Sequence, residues 1–497
     1  MKIRLLLLMV LIPGVMVSAQ VTLPKVLSSH MVVERNVPVH VWGMAAPGET
    51  VSVSFRGETR AMMAGQLGRW SVYLKPGEAG GPFEMVVWGS GQAELPIKLD
   101  DVLVGDVWVA SGQSNMEFRM YQAATADQDL PHAGNSRIRL MMVHQKASEY
   151  PLDDVNSEGW TVSTPETAKN FSAVAWYFAR EIEAREHVPV GVIDSTWGGT
   201  VAEAWTRVAA LGEDAALAPV FAEWGRMTEA ESDALLRDKA EQKLRDEARA
   251  QGKPEPQFPW HPQLLSWGPG MLWNGMIAPL TPFPIRGVIW YQGESNSKLV
   301  RAPLYGRVFR TLIEDWRRAW GEGDFPFLYV QISNFKSNQE EDWATVREQQ
   351  RRTLELNNTG MAVTIDIGNP DNVHPTDKVD VGERLALAAR ALSYGEDVSY
   401  SGPMFLQATP EGDAIRVEFE HHSKGLVAKG GALTGFEVAG ADGKFVAATA
   451  TIEGNFVVAT SPLVAEPVYV RYGWANSPEC NLFNGVGLPA SPFTSAD

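Results

Sequence analysis

The chain reads as an α/β protein, with a largely parallel sheet covered by helices on both faces and a small antiparallel β domain at each end. Three observations predict this. Short apolar strands alternate with amphipathic helices over almost 300 residues in the middle of the chain, the grammar of a βα-type sheet. Residues before about 99 and after about 399 show period-two runs broken by Gly and Pro, as antiparallel strands do. Polar residues appear where several central strands stop, at the strand ends where open α/β sheets bind their ligands.

The first β region covers residues 20–99 and carries VPVHVWG, VSVSF, WSVYL and FEMVVWG between the turns Pro47-Gly48, Arg56-Gly57 and Pro76-Gly77. The central region, residues 100–398, begins with a strand at Val107–Ala110 and a helical stripe at Phe171, Val174, Ala175, Phe178 and Ile182. Strands then follow at Val188–Asp194, Gly287–Tyr291, Phe327–Ile332 and Met361–Ile367. Helices are expected at Leu304–Trp320, Ala344–Leu356 and Val379–Leu392. An insertion at about 209–262 interrupts the rhythm, with twelve charges in the 22 residues from Glu229 to Ala250 and a Pro-rich return. A solvated surface helix is the expectation there, a lid or dimer contact the functional alternative. IRVEF, FEVAG, FVVAT and VYVRYGW make residues 399–497 a second β domain.

Composition narrows the function. The 497 residues hold 60 acidic against 43 basic side chains, a formal charge of -17, which offers no footprint for nucleic acid. A single cysteine, Cys480, excludes an intramolecular disulfide framework and a multi-thiolate metal site; it is expected as a small buried apolar residue. Residues 1–19, MKIRLLLLMVLIPGVMVSA, have the charged start, apolar run and small-residue end of a cleavable secretory signal. The run is interrupted by Pro13 and Gly14 and falls short of the roughly 20 residues a membrane span needs. The expectation is cleavage near Ala19, no stable membrane anchor, and an extracytoplasmic mature protein, periplasmic or secreted.

Four places carry chemistry. In VWVASGQSNMEF, Ser114 follows a buried strand, with Gly112 allowing a tight turn; a serine there can present its hydroxyl and its backbone N–H. Taken alone, a Gly-x-Ser is a weak signal, and a turn serine is its plainer reading. In VIDSTWGGTVAEAW, Gly198 and Gly199 follow a strand and can point N–H groups at an anion, or serve only as a βα turn. In RGVIWYQGESN, Gln292 offers a neutral amide donor, and Glu294 a supporting carboxylate or a general acid. In DIGNPDNVHPTDK, Asp371 and His374 stand three residues apart, so one loop can supply an imidazole base and the carboxylate that fixes its tautomer.

Together, and in this order, GQSNM, the WGG loop, WYQGES and the DxxH loop resemble the four blocks of the SGNH hydrolase superfamily and, more narrowly, the sialate O-acetylesterases. The resemblance extends to LPKVLSSHMVVERNVPVHVWG, LWNGMIAPLTPFPIRGVIWYQGESN and YGWANSPECNLFNGVGLPASPF, nearly the whole chain after residue 19. It implies a flavodoxin-like three-layer α/β/α catalytic domain and removal of acetyl groups from an acetylated carbohydrate, without cofactor or metal. Ser114 would be the nucleophile, His374 the general base and Asp371 its orienting carboxylate. The oxyanion hole would comprise the N–H groups of Ser114 and Gly199 and the side chain of Gln292, a residue standing where the superfamily usually has Asn. Gln113, Asn115, Trp197, Gly198 and Glu294 would support the site or bind substrate.

The substrate implied is an O-acetylated sialic acid; acetyl-xylan or another acetylated polysaccharide is the alternative. A glycoside hydrolase using Glu294 would need a second flanking carboxyl group, and none is identifiable. A non-catalytic carbohydrate-binding protein would have no use for Ser114, Asp371 and His374 together. Of Trp197, Trp205, Trp267, Trp273 and Trp290 near the blocks, one or two are expected to line a cleft and the others to pack.

Overall fold

In a computed structural model, the described residues are 20–91, 95–230, 233–258 and 261–496. The expected signal segment, residues 1–19, lies outside them. Seven strands form the central sheet in the order Thr359–Ala362, Phe327–Val330, Gly287–Tyr291, Ile97–Gly112, Val190–Thr196, Asn135–Met142 and Trp160–Ser163. Neighbours pair in parallel except the last, which is antiparallel. The chain thus has the α/β fold of an SGNH-type hydrolase with flanking antiparallel sheets.

Continuous apolar sequence makes the inner strands, because both faces are covered. Trp108 meets Phe178 of the Ala173–Glu186 helix edge-on at 5.0 Å. On the neighbouring strand, Trp290 stacks on Phe309 at 6.2 Å and meets Trp316 edge-on at 5.9 Å, both from the Tyr305–Trp320 helix. Two helices thereby seal the sheet through side chains of two adjacent strands. The Val379–Leu392 helix packs on Ala173–Glu186, and Gly382 permits the approach: a Cβ there would lie 2.6 Å from Tyr177 Cβ.

The central strand is longer than its apolar core suggests. Where the sequence marks Val107–Ala110, the strand runs from Ile97 to Gly112. Its first half pairs with Gly80–Gly89 and Val32–Glu34 of the amino-terminal β region, and from Asp106 onward it pairs with Val190–Thr196. One strand therefore belongs to both sheets and couples them through its backbone. Strands at Asn135–Met142 and Trp160–Ser163 are not marked by the sequence, because Arg137 and Arg139 break the apolar run of the first and the second is only 4 residues long. Arg139 is buried against Asp101, at 2.6 Å.

The charge run forms the helix Ala234–Ala250, and a second helix, Ala218–Ala230, precedes it. The carboxyl-terminal β region has a core of its own around Val417, Val438, Val457, Val470 and Phe493. It docks through Asn476, whose side chain accepts from the Trp343 N–H at 2.9 Å and donates to Ser337 at 2.6 Å. Cys480 is partly buried between the two cores, where burial pushes its thiol up to about 11.

Candidate active site

Three of the four blocks sit side by side because their strands do. Gly112 is in register with Thr196 on one side and Tyr291 on the other, so Ser114, the glycine pair and Gln292 all begin just beyond one level of the sheet. Gly112 has φ +132, and a Cβ there would stand 2.2 Å from the Tyr291 carbonyl oxygen; only glycine turns the chain here. Ser114 opens a short helix, Ser114–Glu117, so its N–H has no partner within that helix.

His374 arrives from the sheet edge and completes the pair: its Nε2 lies 2.8 Å from Ser114 Oγ. Burial first, and then the charge of Lys378, hold its pKa below the ordinary histidine value, so the imidazole is a neutral acceptor at neutral pH. A network carries its loop. Asn115 donates to the Val373 carbonyl at 3.0 Å and to Glu294 at 2.6 Å, while its Oδ1 accepts from Lys378 Nζ at 2.7 Å. Glu294 is buried, with its carboxyl pKa raised by that burial, and it faces Asn115 instead of substrate space. Lys378 is fully buried and pushed down to about 7 by desolvation, 4.8 Å from the Phe118 ring centroid and 5.3 Å from that of Tyr291. Its burial has no signature in the sequence, where it reads as a solvated charge before a helix.

The glycine loop is pinned by a residue that no sequence motif marks. Glu117, one turn after Ser114, accepts the Gly198 N–H at 2.5 Å and is braced by Arg119 at 3.3 Å. Arg119 in turn reaches buried Asp194 at 3.0 Å. With Gly198 occupied, the N–H of Gly199, at φ +72, donates to no group among the described residues, and its neighbour Gly198 stands against the nucleophile: a Cβ there would be 3.3 Å from Ser114 Cβ.

Two expected residues are placed otherwise. Gln292 is fully buried, and its amide donates to the Thr200 carbonyl at 3.1 Å and to Asn296 at 2.6 Å. One N–H holds the glycine loop and the other the Asn296 side chain, so the structure does not bring the amide to Ser114 as an oxyanion donor. Asp371 pairs with Lys336 at 3.3 Å with its side chain 82% exposed, and no carboxylate among the described residues is at ion-pair distance from His374. Gln113 accepts from Ser295 N–H at 3.2 Å, tying the first and third blocks. Trp197 and Trp267 line a cavity beside the glycine loop, whereas Trp205, Trp273 and Trp290 are buried in packing.

With a serine from the central strand and a histidine from the edge-strand loop in contact, comparison with known proteins decides the family. The family described as "Carbohydrate esterase, sialic acid-specific acetylesterase" matches residues 265–391. The sialate O-acetylesterase of Mus musculus is 33% identical over 403 residues, covering 73% of this chain and 72% of the mouse protein. That of Homo sapiens is 31% identical over 400 residues, covering 73% and 69%. The chain belongs to the sialate O-acetylesterase family. It is accordingly a serine-type ester hydrolase. A crystal structure of a carbohydrate acetylesterase from Xanthomonas citri is 39% identical, covers 96% of this chain and 99% of its own, and superposes with a TM-score of 0.82. Among the described residues no helix of this family member is long and apolar enough to cross a membrane.

Proposed function

We propose that the protein removes acetyl groups from the hydroxyls of an O-acetylated sialic acid, through an acetyl-enzyme on Ser114. The observation that carries this is the 2.8 Å contact between Ser114 Oγ and His374 Nε2, beside a glycine N–H without a partner. Ser114 Oγ attacks the acetyl carbonyl carbon while His374 Nε2 takes its proton. Negative charge gathers on the carbonyl oxygen, facing the N–H groups of Ser114 and Gly199. Collapse breaks the bond to the sugar oxygen, which receives the proton back from His374. Water, deprotonated by the same imidazole, then attacks the acetyl-serine and releases acetate.

Asp371 enters as the carboxylate for the imidazolium. Its pair with Lys336 is exposed, and such pairs are worth about 0–1 kcal/mol. It is three residues from His374 on the same loop, and His374 Nδ1 has no hydrogen-bond partner among the described residues. As the imidazole becomes charged, Asp371 exchanges Lys336 for His374. Gln292 acts by holding Thr200, and through it the loop that bears Gly199.

A second reading keeps the chemistry and changes the sugar to an acetylated polysaccharide: the Xanthomonas citri protein is described as a carbohydrate acetylesterase, a class wider than sialic acid esters. Acetate release from 9-O-acetylated sialic acid and from acetylated xylan, by the wild type and Ser114→Ala in parallel, tests both. The expected result is release by the wild type, reduced by at least about 10⁴-fold in the variant, and the ratio between substrates ranks the readings. Equal release by both proteins would remove Ser114 from the mechanism. We further propose an extracytoplasmic site of action after loss of residues 1–19; amino-terminal sequencing of the exported protein is expected to begin near Gln20.

A further inference from the structure

The inserted helix does not simply face solvent. Between it and the catalytic glycine loop lies a cavity of about 350 Å³, within the roughly 300–1,000 Å³ range of small-molecule sites. Trp197, Gly198 and Gly199 form one wall. Glu241 and Arg245 from the Ala234–Ala250 helix, with Phe258 and His261 from its return, form the other. Since a Cβ on Gly198 would be 3.3 Å from Ser114 Cβ, the cavity starts at the residue against the nucleophile. Trp267 fixes the geometry by donating its indole N–H to the Gly199 carbonyl at 2.7 Å.

The far wall is organised. Glu241 meets His261 Nε2 at 3.1 Å and Arg245 at 3.7 Å, and the Arg245 guanidinium stands 5.2 Å from the Phe258 ring centroid. Acceptor and donor groups therefore stand side by side next to an aromatic face, with Trp197 opposite. That combination suits a ring bearing hydroxyl groups on its edge and C–H groups on its face. The carboxylate and the guanidinium offset one another, so the wall addresses hydroxyls and does not demand a charged group.

We propose that this cavity is a saccharide subsite, in which Glu241 and Arg245 hold hydroxyls of a pyranose ring of the acetylated substrate. The insertion is then a specificity element built onto the catalytic sheet. The inference rests on the carbohydrate-ester reading above and names the part of the chain that recognises the sugar. A sialic acid and a polysaccharide residue both supply such a ring.

The test assays the full chain and the variants Glu241→Gln and Arg245→Gln on three acetyl esters: 9-O-acetylated sialic acid, acetylated xylo-oligosaccharide, and p-nitrophenyl acetate, which has no sugar ring. Losing a hydrogen bond to a charged group is expected to lower kcat/KM for the sugar ester by about tenfold or more relative to p-nitrophenyl acetate, mainly through KM. The sugar whose ratio falls identifies the source of the ring. Ratios that stay put in both variants, or esters that all decline by one factor, would overturn the subsite, the second by reducing the wall to a structural role. A wild type that cleaves p-nitrophenyl acetate but neither sugar ester would instead overturn the carbohydrate reading, and the subsite with it.

Discussion

The two halves of the catalytic pair are held by different means. Ser114 and the glycine loop are extensions of adjacent strands whose ends are in register at Gly112, Thr196 and Tyr291. Backbone pairing and buried apolar faces set their positions before any polar side chain acts. His374 comes from the loop after the edge strand Thr359–Ala362, and side chains bring it across: Asn115 to the Val373 carbonyl, Lys378 to Asn115, and outermost Asp371 on Lys336. A nucleophile placed by the sheet tolerates little movement, whereas a base placed by side-chain ties can exchange partners during the reaction.

The sharpest break of this contrast is Asp371→Asn. If the loop trades Lys336 for His374 during turnover, kcat is expected to drop by about 10² to 10⁴-fold, with folding intact because the side chain is exposed. A rate within about threefold of wild type would leave His374 working without a carboxylate.

Gln292→Ala is next, and probes the rigid half. It would leave the buried Thr200 carbonyl and Asn296 short of a donor, with an expected stability loss of about 1–3 kcal/mol by denaturant unfolding. Its effect on kcat is expected to be smaller than the two to three orders of magnitude that removal of a direct oxyanion donor produces. A full loss of that size in a stably folded variant would return Gln292 to the oxyanion hole.

A pH profile examines the ties of the base. Because burial and Lys378 disfavour the imidazolium, the acid limb of kcat/KM is expected below the ordinary histidine value of about 6.5. Lys378→Met removes the repelling charge, makes protonation easier, and is expected to move that limb to higher pH; a shift downward would contradict the assigned sign. The smallest effect is expected for Lys336→Gln, which releases Asp371 from an exposed pair. Its kcat should stay within about threefold of wild type, and a loss resembling that of Asp371→Asn would make the Lys336 pair itself necessary.

Much of this site was legible because residue type and strand ends coincide. The Gly112 turn before Ser114, the glycine pair after an apolar strand, and a histidine in a Pro-, Asp- and Asn-rich loop all announce themselves in one dimension. Glu117 and Lys378 do not. A carboxylate three residues after Ser114 and a lysine four residues after His374 look like ordinary solvated charges, and only burial gives them their tasks. Gln292 shows the converse: its amide suited an oxyanion, yet the direction of an amide depends on which acceptors surround it. The charged insertion is the largely solvated helix its composition announces, but one charge pattern serves a solvated face and a polar cavity wall equally well, so the cavity beside it was not legible.

The sequence by itself determined the alternation of strands and helices, the flanking β regions, and the serine and histidine that meet, because periodicity and turn chemistry are local properties of the chain. Only the tertiary structure decided that one strand runs through two sheets, that Glu117 occupies Gly198 and leaves Gly199 open, that Asp371 rests on Lys336, and that the inserted helix closes a cavity against the glycine loop. Those outcomes depend on distance and burial between residues far apart in the chain. Hydrogen-bond partners and pKa values follow from such distances, and no local pattern encodes them.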